Sequence, residues 1–271
     1  MTEIFQFEFM RNALYAGILA SILCGVIGVL IVVNRLVFIS GGLAHSAYGG
    51  IGLAFFFGFA PVVGAVGFAF FMSVVMGIIT YENRYRADTV IGALWAVGMA
   101  LGIILIDLTP GYNVDLMSYL FGSLLAVSKF DLYLMVCLTF VICLIVGVFY
   151  KDFLAMSYDD EFARLRNRSV KFLYFLLLSM IAVAVVMIIR VVGLILVMAL
   201  FTIPPYITER YSKSLGSMML YSFILSLVFV LVGLAVSYYF NITSGASIIM
   251  VAATCFFLFI GFRRYVSGCR R

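Results

Sequence analysis

The chain has 271 residues, of which 66% are hydrophobic and 11% charged. Its mean hydropathy is +1.23. A soluble domain is about 45–50% apolar and about 25% charged, so a soluble fold, a disordered chain and a disulfide-stapled secreted fold are all excluded. Each membrane-spanning helix takes about 20 apolar residues. Spans and connectors therefore use nearly the whole length, with no room for a soluble enzyme domain of about 100–200 residues. The net charge of +5 matters loop by loop rather than in sum, and no nucleic-acid partner is expected.

The start of the chain carries Glu3, Glu8 and one basic residue, Arg11. A cleaved signal wants a positive beginning and a short apolar core, so the first apolar run reads as a retained helix. Apolar runs follow at 12–33, 36–57, 61–80, 90–108, 131–150, 171–189, 191–208, 215–239 and 245–262. Pro61, Asn83, Pro110, Pro204–Pro205 and Asn241 fall at or near the breaks. A single helix over 171–208 would be about 57 Å long, nearly twice the hydrocarbon thickness. The run therefore splits near Arg190–Gly193, where a charge is cheapest at the interface. Small residues such as Gly17, Gly25 and Gly28 suit close helix approach within the first span.

The expected fold is an all-α polytopic bundle of about nine spans, with eight as the alternative, forming one transmembrane domain over 1–271. Nine spans with the N-terminus outside and the C-terminus cytoplasmic place four basic clusters inside, at 81–88, 151–170, 209–214 and the tail. Eight spans cannot do this, so the positive-inside rule favours nine. The segment 109–130 is too mixed to span and reads as an external cap. The cysteines inside apolar runs form no CxxC and read as small buried residues.

His45, the only histidine, sits within the second span in the stretch Ser40 to Gly50. Gly41, His45 and Gly49 share one helical face at i, i+4 and i+8. Glycines above and below would leave a gap beside the imidazole for an ion or water, with Ser46 and Tyr48 adding oxygens. Ionisable groups at membrane depth are functional candidates, and neutral imidazole is a common metal ligand. The competing reading is a packed histidine bonded to a neighbouring carbonyl.

No HExxH, nucleophile elbow or Walker A loop is present, so the chain has no catalytic site and cannot hydrolyse ATP alone. Asp107 and Asp115 flank the outer end of the fourth span, as cation attractors or as solvated residues. Asn34–Arg35 reads as a cytoplasmic anchor. In 151–170, Ser157 can cap a helix whose first turn holds Asp159, Asp160 and Glu161, with Arg164 and further arginines toward its end, which complements the helix dipole. Phe162 and Leu165 share a side. Such an amphipathic helix either docks into another protein or lies on lipid headgroups. The span 191–208 is expected to end at Pro204–Pro205, which lack backbone donors; the carbonyls freed there must face protein or a watery cavity.

Five ordered blocks carry a family resemblance. They are Ile39–Gly50, Tyr119–Val127, Leu154–Ala163, Val192–Pro204 and Ser244–Ile248. In this order they resemble the ABC-3 family, the permease subunits of bacterial ABC importers for zinc, manganese and sometimes iron, whose fold is similar to that of vitamin B12 and siderophore importers. The resemblance implies a multi-pass protein of the bacterial inner membrane that forms a homodimeric pore. Its partners would be a cytoplasmic ABC ATPase dimer and an extracytoplasmic metal-binding protein, with the divalent metal as substrate and no bound cofactor. It also implies that the metal path runs along the second-span block with His45, and that 157–168 contacts the ATPase. The family's aspartate, four residues before that histidine, is Gly41 here. The path is then left with neutral ligands, so it binds more weakly, is shaped differently or passes another metal. The rival class is an ion-coupled secondary transporter that uses His45 and Asp107 as proton carriers.

Overall fold

The computed structural model describes residues 8–82, 87–109, 127–158 and 169–268. Within them every regular element is helical. In chain order the elements are α1 (Glu8–Leu23), a π-helical turn (Cys24–Gly28), α2 (Val29–Val33), α3 (Val37–Phe57), α4 (Pro61–Glu82), α5 (Ala87–Asp107), α6 (Lys129–Val148), α7 (Tyr150–Tyr158), α8 (Val170–Val192), α9 (Leu194–Glu209), α10 (Leu215–Phe240) and α11 (Ser244–Gly268). Lipid offers no hydrogen bonds to the backbone, so helices satisfy it internally.

Seven helical runs are long and apolar enough to cross a membrane: Met10–Val33, Pro61–Tyr81, Ala87–Asp107, Lys129–Val148, Val170–Ile189, Leu215–Phe240 and Ser244–Arg263. Two of the nine expected spans are absent from that set for different reasons. α3 has 21 residues, but its serines, glycines, tyrosine and histidine dilute its hydropathy. α9 is apolar but has 16 residues, roughly 24 Å of helix against a core of about 30 Å.

The breaks have local causes. The chain turns between α8 and α9 at Gly193, whose φ of +86° suits a residue without a Cβ, so the expected split falls where it was placed. Pro61 opens α4, where its missing N–H has no intrahelical acceptor to serve. Ser214 caps α10 in a reciprocal pair with Ser217, and Asn241 ends it in the left-handed region at φ +53°.

The chain folds as two compact units. One comprises residues 1–32, 121–140 and 191–271, the other 33–120 and 141–190. In the first, α1 is fixed at its start by an ion pair between Glu8 and Lys129. Asn12 Nδ2 also donates to the Val127 carbonyl at 3.4 Å. The π-helical turn sets Gly25 against Phe223 and Gly28 against the Phe201 backbone, the close approach expected of both glycines. In this unit the proline pair does not end a helix: α9 runs through Pro204 and Pro205 to Glu209. Pro205 leaves the Phe201 carbonyl without its usual donor. A Cβ on Gly28 would lie 3.0 Å from that oxygen, so the carbonyl faces protein rather than solvent. Beyond the prolines, Thr208 Oγ1 donates to the Pro204 carbonyl at 3.0 Å and accepts from Ser222 Oγ at 2.6 Å.

In the second unit, α3 is clasped by α4 and α5. Gly50 and Gly64 meet backbone to backbone, as do Gly52 and Gly102. Any side chain at Gly50 would overlap the Gly64 carbonyl. Without a hydrophobic drive between helices in lipid, such close packing supplies the association.

Candidate functional site

His45 lies in the middle of α3, in a run that is buried from Ile39 to Ala44 and again from Ser46 to Gly52. Its imidazole stacks on the indole of Trp95 from α5, with ring centroids 3.9 Å apart and an interplanar angle of 15°. Trp95 is itself held by a bond from its Nε1 to Met99 Sδ at 3.1 Å. His45 Nδ1 is buried and has no hydrogen-bond partner among the described residues. An unsatisfied buried polar atom costs about 1–3 kcal/mol, so the arrangement calls for a role.

On the Gly49 side the gap expected beside the imidazole is occupied. Trp95 covers the ring, and at Gly49 a Cβ would meet Phe68 Cε1 at 2.7 Å and the Gly98 carbonyl at 3.0 Å. Gly49 is thus a contact for α4 and α5. Gly41 is buried within α3, one turn before His45. Ser46 donates its Oγ to the Leu43 carbonyl of its own helix at 3.1 Å, and Gly98 lies against it. Tyr48 is different: its hydroxyl is buried and unpartnered. The residue lines a cavity of about 70 Å³ with Ala44, Ile51, Ala65, Val186 and Ile189. Two orphaned polar atoms therefore lie on α3 three residues apart, roughly 4.5 Å along its axis.

Asp107 is the exposed last residue of α5. It stands twelve residues, roughly 18 Å of helix, beyond Trp95, so the structure does not bring it to His45. Among the described residues no group of three or more His, Cys, Asp or Glu side chains gathers at metal-binding distance.

The stretch 151–170 is described up to Tyr158 and from Ser169. Asp159, Asp160, Glu161, Phe162 and Arg164 lie outside the described residues. Ser157 does not stand at the head of a helix as expected: it is the penultimate residue of α7. There its Oγ accepts a hydrogen bond from Asn34 Nδ2 at 2.9 Å. Helix α7 starts earlier because Phe153 and Met156, at i and i+3, bury one face.

Sequence reasoning missed Trp95 and the Asn34–Ser157 pair. A signal for the first was present: Ile91, Trp95, Gly98 and Gly102 recur at i, i+4, i+7 and i+11, one face of a helix, and Trp95 is the sole tryptophan. No local pattern signals the second, whose partners are 123 residues apart.

The described residues form a dominantly apolar set of helices, seven of them long and apolar enough to cross a membrane, with one imidazole packed among glycine-clasped helices. The chain belongs to the ABC 3 transport family, whose profile matches residues 6–263. It is thus a permease subunit of an ATP-binding cassette system, with ATP hydrolysis assigned to a separate subunit. It is 48% identical over 264 residues to an uncharacterized membrane protein of Synechocystis sp., covering 97% of this chain and 94% of that one. It is 30% identical to the manganese transport system membrane protein MntC of Listeria monocytogenes, covering 93% and 90%. A chain of PsaBC from Streptococcus pneumoniae, solved in complex with a Fab, matches at a TM-score of 0.84 and 29% identity, covering 94% of this chain and 92% of that one.

Proposed function

We propose that this chain carries a divalent transition metal (zinc, manganese or iron) inward across the cytoplasmic membrane, driven by a cytoplasmic ATPase dimer. The observation that carries the reading is the buried Nδ1 of His45, without a partner among the described residues, in a helix packed between two others. Relatives named for manganese and metal transport over nearly the whole chain support it. His45 is the metal ligand of the translocation path. Tyr48 lies beside it, and Gly41, Ser46 and Gly49 belong to the same stretch of α3. A second copy of the chain supplies a second imidazole. With Gly41 in place of the family's carboxylate the path is left with neutral ligands, so it binds more weakly, is shaped differently or passes another metal.

Adding α3 and α9 to the seven long helices gives nine crossings, with the N-terminus outside and the C-terminus cytoplasmic. Two observations support which connections share a side, and the positive-inside rule sets which side is cytoplasmic. The Glu8–Lys129 pair joins the start of α1 to the end of the segment read as external. Asn34, Arg35, Ala87, Asp88 and Ser157, from three connections read as cytoplasmic, line one cavity. The ATPase engages Ser157, Asp159, Asp160, Glu161, Phe162 and Arg164. An outer metal-binding protein docks on 109–130. ATP-driven closure of the ATPase dimer then moves the coupling segment and reorients the path by alternating access.

The assembly test is gentle solubilisation of the tagged chain from native membranes. A stoichiometric P-loop ATPase should co-purify. Its absence, under conditions that preserve a known ABC complex, would contradict the reading. Uptake that survived ATP depletion but collapsed with the proton gradient would favour the secondary-transporter alternative. The roughly 18 Å along α5 between Trp95 and Asp107 argues against a direct His45–Asp107 relay.

A further inference from the structure

The bond between Asn34 and Ser157 joins segments far apart in sequence at a mechanically informative place. Asn34 occupies the three-residue turn between α2 and α3, where Arg35 is held in the left-handed region at φ +59°. Ser157 closes α7, immediately before the 159–168 stretch. Helix α7 is anchored by the buried side chains of Phe153 and Met156. Both bonded residues line an open cavity of about 750 Å³, together with Arg35, Thr80, Asp88 and Tyr174. Across it the Asn34–Ser157 bond is a directed link between the head of α3 and the end of α7. From that head, α3 runs eight residues, roughly 12 Å, to His45. The glycine contacts at Gly50–Gly64 and Gly52–Gly102 lock α3 to α4 and α5. A displacement of its head is therefore passed to a rigid three-helix block rather than absorbed.

We propose that the Asn34–Ser157 hydrogen bond is the joint through which movement of the cytoplasmic connection reaches α3. Asn34 and Ser157 are then positioning residues that set how much metal is moved per ATP hydrolysed. The inference rests on the ABC-driven reading of the function given above. Interhelical hydrogen bonds of this kind are individually weak in membrane proteins, so removing one leaves the fold intact while loosening the transmission.

The test uses the whole transporter, with its ATPase and outer binding protein, in proteoliposomes. Mn²⁺ uptake and phosphate release are measured in the same vesicles. Asn34→Ala should assemble in normal amount and still release phosphate. Its Mn²⁺ moved per phosphate should fall by at least about fivefold, the low end of coupling between sites. Ser157→Ala should lower the same ratio to a similar degree, and the double variant should go no lower than either single one. Ser157→Thr, which keeps the hydroxyl, should restore it. Wild-type ratios in Asn34→Ala and Ser157→Ala would overturn the joint. So would additive losses in the double variant, or uptake and phosphate release falling together with the amount assembled. A wild-type transporter whose uptake ignores ATP would overturn the functional reading, and the joint with it. That failure is distinguishable because it shows before any variant is made.

Discussion

Helices α3 and α9 are the two expected spans that miss the length and hydropathy of the other seven, and they treat their polar groups in opposite ways. In α9 the hydroxyls are answered. Thr202 Oγ1 donates to the Met198 carbonyl, and Thr208 and Ser222 bond one another. In α3 the backbone is clasped by glycines, yet His45 Nδ1 and the Tyr48 hydroxyl are left without partners. A satisfied irregularity is structural, whereas an unsatisfied group held in a rigid frame is available to a ligand. On the proposed reading the unpartnered atoms of α3 are the functional ones, and the prolines of α9 shape a helix.

Substitutions can break this contrast, starting with the largest effect. Gly50→Val places atoms inside the Gly64 carbonyl and should abolish properly assembled protein, read as loss of the monodisperse peak in detergent gel filtration. A wild-type peak would show that α3 and α4 are not clasped there. Next, Trp95→Ala removes the stacking partner of His45. It should lower metal uptake at least about tenfold through loss of positioning while ATPase association persists. Unchanged uptake would make the stack incidental.

Thr208→Val acts on the satisfied side. It removes the bond to Ser222 and should cost about 0.6 kcal/mol of stability, at most about 1.7, seen as a small drop in melting temperature. Uptake per assembled transporter should stay unchanged. A selective loss of uptake would move function into α9.

The smallest effect concerns Glu8, which lies ahead of the Met10–Val33 span. The Lys129 ammonium, bonded to its carboxylate, holds the Glu8 carboxyl below the usual range. The folded state thus binds the proton less readily than the unfolded one. The pair contributes above the ordinary carboxylate range and is lost as pH falls through the lowered value. The pair is exposed, so Glu8→Gln should leave the melting temperature at neutral pH unchanged within error. A clear drop would show the pair to be shielded.

Much of the architecture was legible in the sequence. Apolar runs mark helices because lipid forces the backbone to satisfy itself. Gly193 and Asn241 mark breaks because their backbones take positive φ. Pro204–Pro205 misled because packing can carry a helix through a missing donor, and Gly28, far away in sequence, packs against Phe201 and Pro205. His45 stood out as a lone ionisable residue at depth. Its environment did not, because a gap deduced from glycines on one helix takes no account of Trp95 and Phe68 on its neighbours. Ser157 was read as a cap because serine before acidic residues fits that role. The apolar pair Phe153 and Met156 instead extends a helix through it, and its hydroxyl serves Asn34.

The most direct test of the account is ATP-driven uptake of Mn²⁺ and Zn²⁺ by the reconstituted transporter, with wild-type chain beside His45→Ala. The account predicts ATP-dependent accumulation by the wild type, and loss of it in His45→Ala at equal amounts of assembled complex. Equal uptake by the two would contradict the central claim that the unpartnered imidazole of α3 carries the metal.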